Sequence, residues 1–286
     1  MDGPFLGPQA VTAGTLTRGQ LRWKYAPVAP RVYAAKGSVL SARQKIEAVA
    51  LWAGGGAVIA GRAAAHLHGV RWIDIDTPIE VITKSRRTWP GVIARQERIA
   101  GDEIVTIGGM AVTSAARTAF DLGRHLQRNA AVAQLDALAA VTGVRVTDAF
   151  ALQRRYPGAR GIRDARTALE LMDAGAQSPR ETWLRLLVVD NGFPRPRTQI
   201  KVSDGSLTAF LDMGWDEPMI GLDYDGEYHL SDRRRYVTDL ARDEMLRRER
   251  WIDIHVVKEH SPAYILHRLR RTWAERGFTP PTQSSR

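Results

Sequence analysis

The 286-residue sequence contains no cysteine, which excludes disulfides and thiolate metal sites and fits a reducing, cytoplasmic setting. Lysine is nearly as scarce, since only six of the 41 basic side chains are Lys and the rest are Arg. No apolar run approaches the ~18 residues of a bilayer span, so no membrane segment is expected. The opening stretch MDGPFLGPQAV lacks the basic flank and apolar core of a signal peptide. Aromatic residues are few, but 44% of the chain is apolar, enough for packed cores and too much for wholesale disorder. The length suggests two domains, or two and a small appendage.

Positive charge is in excess. A formal net charge of +10 favours a polyanionic partner. Arg and Ala enrichment also follows from a GC-rich genome, so the total decides little, and the distribution says more. The first fifty residues carry seven Lys and Arg against Asp2 and Glu47.

That stretch reads as helix, turn, helix and hairpin. PQAVTAGTL is a short helix ending near Gly14. Thr17 and Gln20 have the spacing of a capping box for a second helix, TRGQLRWKY, which carries Arg18, Arg22 and Lys24 and has Leu21 and Tyr25 at an i,i+4 spacing. VAPRVYAAKG, with Arg31, is extended and has the makings of a wing. A helix–turn–helix puts its second helix in the major groove, with basic side chains at phosphates and base edges. The same pattern also suits a small helical hairpin with a solvated basic face.

The middle of the chain is mixed. SARQKIEAVALWA is an amphipathic helix, and GGGAVIAG is a turn leading into the helix RAAAHLHGV. Its His66 and His68 are two apart, so they point in different directions and cannot chelate together. PIEVIT and GVIARQER are strands, and EIVTIGGMAVT is a hairpin around Gly108-Gly109. Thr113 or Ser114 caps AARTAFDLGRHL, and helices at AAVAQLDALAAV, VTDAFALQRRY and IRDARTALELMDAG follow. No catalytic constellation appears here. The break at Tyr156-Pro157-Gly158 is the best linker, giving domains at 1–45, 46–160 and 161–286.

The chemistry concentrates after Ser178. SPRETWLRLLVVDNG is a capped helix with Glu181 in its first turn, followed by the strands SLTAFLDMG and MIGLDYDG. A loop at Trp215 to Pro218 sets Asp212 opposite Gly221 and Phe210 opposite Asp223. Period-two alternation then puts Leu207, Leu211, Met213, Ile220, Leu222 and Tyr224 on one face, and Asp212, Asp223 and Asp225 on the other. Two charges ~4 Å apart repel by roughly 1 kcal/mol in water and ~4 at an effective dielectric of 20, and strands disfavour Asp. Three acids so placed suit either a hydrated rim or a hard-cation site, for which oxygen donors select Mg²⁺ or Mn²⁺.

The stretch FLDMGW followed by GLDYDGEYH resembles the metal-site signature of the very-short-patch-repair-like endonucleases, within the PD-(D/E)XK restriction-endonuclease-like superfamily. Asp212, Asp223, Asp225, Gly226 and His229 occupy the positions of that pattern, and Glu181 matches the acid of its preceding helix. RRRYVTDLARDEML supplies Asp239 and Arg242 as in the family, and WIDIHVV follows with His255 where Arg is usual. The match covers roughly residues 176 to 275. Asp223 stands where the family usually has Glu. Asp225 stands where typical nucleases of the superfamily hold a catalytic Lys, a departure shared with this branch. The resemblance implies metal ligation by Asp212, Asp223 and Asp225, a water- or metal-orienting Glu181, and acid–base or phosphate contact by His229.

Toward the other end, GTLTRGQLRW, PRVYA and VTSAARTAFDLGR resemble the AbiEi antitoxins of type IV toxin–antitoxin systems, over residues 5 to 130. The usual wing glycine is absent before Val32-Tyr33. This resemblance implies operator-DNA binding through Arg18, Arg22, Lys24 and Arg31, and a cognate toxin as partner. The expectation is therefore a cytoplasmic multidomain α+β DNA-binding protein: a winged helix–turn–helix, a mixed middle region and a Mg²⁺- or Mn²⁺-dependent endonuclease-like domain. The alternative is a non-enzymatic antitoxin or repressor that keeps the nuclease fold for binding only.

Overall fold

A computed structural model describes residues 3–71, 77–85, 89–226 and 233–281, with backbone alone for 233–237. The described residues form eleven α-helices and three sheets in a mixed α/β arrangement. The chain divides into two compact units, residues 1–172 and 173–286.

The first unit begins with β1 (Phe5–Leu6), α1 (Gly7–Thr12), α2 (Arg18–Lys24), β2 (Tyr25–Ala29) and β3 (Val32–Ala35). The capping box of α2 forms as its spacing requires: Gln20 N donates to Thr17 Oγ1 at 3.1 Å, and Thr17 N to Gln20 Oε1 at 2.8 Å. The strands make an antiparallel sheet in the order β1-β3-β2. At the β2–β3 turn Arg31 has φ 69°, the left-handed conformation that glycine adopts at least cost. Helix α3 (Ala42–Ala53) starts on a second capping box, Ser41 with Gln44. Its Ala48 packs with Ala29 and Val32, while its Ile46 and Val49 pack into the next sheet. The boundary expected after residue 45 therefore falls inside a helix that serves both cores.

Next come β4 (Val58–Ala60), α4 (Gly61–Leu67), β5 (Ile79–Ile82), β6 (Val92–Arg95), β7 (Ile104–Ile107) and β8 (Met110–Thr113), in a mixed sheet ordered β6-β5-β4-β8-β7. The central strand, β4, is three buried residues that the sequence reading assigns to a turn. Helices α5 (Ala115–His125), α6 (Arg128–Thr142), α7 (Val146–Arg155) and α8 (Ile162–Leu171) follow. Ser114 rather than Thr113 caps α5. Residues 117–124 of α5 are all buried, which is tolerable for charged side chains only when they are paired. Arg117 accordingly binds Glu103 at 2.6 Å, Asp121 at 3.0 Å and Glu97 at 3.1 Å. Arg124 binds Asp121 at 2.7 Å and also Glu97. Helix α8 lies so close to α5 that a Cβ on Gly123 would meet Ala165 Cα at 3.0 Å. It belongs to the first unit, so the division comes after Met172, not at residue 161 where the Pro-Gly break suggests it.

The second unit contains α9 (Pro179–Asp190), β9 (Arg197–Ser203), β10 (Thr208–Trp215), β11 (Ile220–Tyr224), α10 (Arg233–Arg248), β12 (Ile252–Val256) and α11 (Pro262–Glu275). Its sheet is ordered β12-β11-β10-β9, with β12 parallel to β11 and the other pairs antiparallel. Strand β9 was not apparent from the sequence. The β10–β11 pairing is Met213 with Leu222 and Trp215 with Ile220, which brings Asp212 opposite Asp223. The expected pairing with Gly221 is corrected by one residue on each strand. Trp215 stays in the strand because it is buried in the core and its Nε1 donates to Pro194 O at 2.9 Å.

The expected single apolar face of β10 is also corrected. Met213 packs with Leu184, Val188, Ile265 and Leu269, whereas Leu211 packs with Met245, Leu246 and Trp251. Alternation breaks between them, at Asp212. On the neighbouring strand, Gln199 has φ 52° between the pairs Leu211–Ile200 and Met213–Thr198. Among the described residues, no helix is long and apolar enough to cross a membrane.

Candidate active site

The break at Asp212 lets carboxylates replace ladder bonds. Asp212 N donates to Asp223 Oδ1 at 2.7 Å, and Tyr224 N donates to Asp212 Oδ2 at 2.8 Å. Parallel pairing of β11 with β12 adds a third acid beside them, since Gly221 pairs with Asp253 and Asp223 with His255. Glu181 enters from the first turn of α9, where Gln177 N donates to its Oε2 at 2.8 Å and its own N–H donates to Ser178 Oγ at 3.2 Å.

Cations compensate part of this cluster. Arg242 of α10 donates to Asp253 Oδ2 at 3.0 Å and also grips Asp223 Oδ2. His255 Nδ1 lies 2.9 Å from Asp225 Oδ2, with its Nε2 3.4 Å from Asp253 and 3.8 Å from Asp243. The hydrogen bond to Asp225 raises His255 to about 9 against the opposing effect of burial. Among the described residues no cation pairs with Glu181 or Asp212. Burial, then the charge of Asp223, pushes Asp212 up to about 7. Burial likewise raises Glu181, and burial with Asp223 raises Asp253 to about 7. Anions that burial disfavours and no side chain balances are the environment a hard divalent cation relieves. Glu181, Asp212 and Asp223 supply the all-oxygen donors such an ion prefers, although their donor atoms do not all lie within 4.8 Å of one another.

The structure thus gathers Glu181, Asp212 and Asp223, with Arg242 beside them. Asp225 is diverted to His255, and His229 lies outside the described residues. Asp253 and Asp243 were missed. The signal for Asp253 was the alternation of Ile252, Ile254 and Val256 in β12, which leaves Asp253 and His255 on the opposite face; no such pattern marks Asp243 on α10. In the first unit Arg18, Arg22, Lys24 and Arg31 are all exposed. His66 and His68 have separate partners, Val70 O at 3.3 Å and Thr113 O at 2.8 Å. Sequence reading also missed Glu97, Asp121 and His125, the one described group of three metal-ligand types whose donor atoms lie within 4.8 Å of one another. Arg117 and Arg124 already neutralise it, so it serves as a buried ion network.

No protein-family model matches the chain. Curated relatives do: Uncharacterized protein MT2308 of Mycobacterium tuberculosis (strain CDC 1551 / Oshkosh) and Uncharacterized protein Rv2248 of Mycobacterium tuberculosis (strain ATCC 25618 / H37Rv). Each is 31% identical over 205 residues, covering 69% of this chain and 73% of the relative. At that identity and coverage, the chain belongs to the same protein family as these mycobacterial proteins.

Proposed function

We propose that this is a DNA-binding protein whose second unit is a restriction-endonuclease-like domain hydrolysing phosphodiester bonds with Mg²⁺ or Mn²⁺, and whose first elements form a winged helix–turn–helix. One observation carries the reading: two carboxylates, Glu181 and Asp212, sit without a cationic partner against Asp223. When bound there, a divalent ion lowers the pKa of water and neutralises charge on the phosphate. The protein's own part is orientation. Tyr224 N fixes Asp212 Oδ2, Asp212 N fixes Asp223 Oδ1, and Gln177 N fixes Glu181. His255, held between Asp225 and Asp253, offsets part of the acidic charge beside the site. Exposed Arg18, Arg22, Lys24 and Arg31 supply phosphate contacts from the first unit.

Plasmid nicking with Mg²⁺ or Mn²⁺ tests this. Wild type is expected to nick and Asp212→Asn to fail, and wild-type inactivity with both metals overturns the enzymatic reading. A second reading, a non-enzymatic antitoxin or repressor with a cognate toxin, draws on Arg242. Its guanidinium already satisfies Asp223 and Asp253, as a retired metal site would require. Under that reading divalent ions leave the melting temperature unchanged.

A further inference from the structure

We propose that Trp23 is a base-contacting residue, the centre of an α2 face that docks in the major groove of duplex DNA. This rests on the DNA-binding reading above, which uses only charged contacts, and adds the apolar one.

Trp23 is 84% exposed. An aromatic side chain so placed forgoes the hydrophobic gain of burial, and Trp and Arg are the side chains most enriched where binding energy concentrates. The inner side of α2 is fixed by its neighbours. A Cβ on Gly7 would come within 3.1 Å of Leu21 Cδ2, and the Tyr25 ring meets Phe5 edge-on at 4.9 Å. At about 100° per residue, Trp23 lies about 200° round the helix from Leu21, and Gly19 about 160°. Both face outward. Arg18 and Arg22 flank this face on one side and Lys24 on the other, all exposed. A Cβ on Gly19 would meet only Thr17 Oγ1, at 3.7 Å, so a partner can approach the backbone beside the indole.

Charge decides the occupant. From residue 3 to residue 46 the chain has no Asp or Glu and seven Lys or Arg, which suits a phosphate-bearing partner. The groove of a duplex offers phosphates on both rims and apolar base edges, thymine methyls among them, at its floor. A rim of Arg and Lys around one indole matches that layout.

The test measures binding of the full chain to a labelled mixed-sequence duplex and to its single strand across a salt series. Trp23→Ala is expected to weaken duplex binding about tenfold or more at every salt concentration with the salt slope unchanged, and Trp23→Phe to restore part of it. Arg22→Ala is expected to lower the slope by about one. Matched melting temperatures confirm that each variant is folded. Wild-type affinity in Trp23→Ala, while Arg22→Ala still changes the slope, overturns the Trp23 proposal and leaves DNA binding standing. A loss confined to the single strand assigns Trp23 to base stacking and overturns the groove proposal. No salt-dependent binding by wild type removes the DNA reading itself, and this proposal with it.

Discussion

At position 212 a carboxylate sits where burial and a facing acid both oppose its charge, with a folded pKa of about 7 against 3.8 in the unfolded chain. The folded state therefore holds a proton that the unfolded state has released, and stability falls as pH rises through this window. Asp212→Asn removes this proton linkage. In metal-free protein at pH 8 it should stabilise by about 1–2 kcal/mol, less than the full linkage because relaxation and water screen the charge. Near pH 4 it should be neutral. Chemical denaturation at both pH values checks this, and a pH-independent loss of stability would show Asp212 to be a purely structural acceptor for Tyr224 N. Position 31 carries a different cost. Arg31 at φ 69° holds a conformation that is unfavourable by roughly 1–2 kcal/mol for a side chain with Cβ. Arg31→Gly should stabilise by about 0.5–1 kcal/mol, the remainder being offset by glycine's chain entropy, and under the DNA-binding reading proposed above it should weaken duplex affinity through the lost charge. Denaturant midpoints and duplex affinity measured together would separate the two effects.

Among the elements, α8 shows where local signals end. Gly123 of α5 abuts Ala165, and Ala165, Ala168 and Leu169 are buried, so a fragment begun near residue 161 carries an apolar helix face with no partner. A fragment of residues 173–286 should unfold cooperatively as a soluble monomer, whereas 161–286 should self-associate; analytical ultracentrifugation of both distinguishes them. Equal monomeric behaviour would return α8 to the second unit. The capping box of α2 was legible because its partners, Thr17 and Gln20, lie three residues apart, while the same spacing at Ser41 and Gln44 of α3 went unread. Register was not legible. The turn begins one residue later than composition suggests, because Trp215 is held by Pro194 O and by the core across the sheet. That shift moved one residue on each strand, so Asp212 and Asp223 kept a common neighbourhood while changing from diagonal to direct neighbours. Asp253 stayed hidden for the same reason. Its place beside Asp223 depends on β12 running parallel to β11, a fact of topology that no local pattern carries.

For the whole molecule, Glu97 in the first unit and the acids and His255 in the second set opposite pH responses, against the counter-trends of buried Asp121 in the first and Asp204 in the second. In the first, burial pushes Glu97 up, but the hydrogen bond from His125 and the charge of Arg124 hold it at about 2. That stabilisation is present above about 4.5 and is lost as pH falls toward 2. In the second, Asp212 and Asp253 near 7 weaken the fold as pH rises from 3.8 to 7. His255 extends the decline from 6.5 to about 9, as the proton that pairs it with Asp225 is lost. Calorimetry should resolve two transitions, one falling below pH 4 and the other above pH 5, with Mg²⁺ raising only the second. Parallel movement of both would mean that the site acids do not control the second unit.

The paired bonds between Asp212 and Asp223 also bear on descent. Because Asp223 both accepts from Asp212 N and pairs with Arg242, selection on folding alone favours an aspartate at 223, whereas an asparagine at 212 could still accept from Tyr224 N. Glu181 is under a looser constraint, since the bond from Gln177 N is one a glutamine at the same place could accept. Under the nuclease reading proposed above, drift to the amide at position 181 or 212 with Asp223 intact is therefore the mark expected of a relative without catalysis.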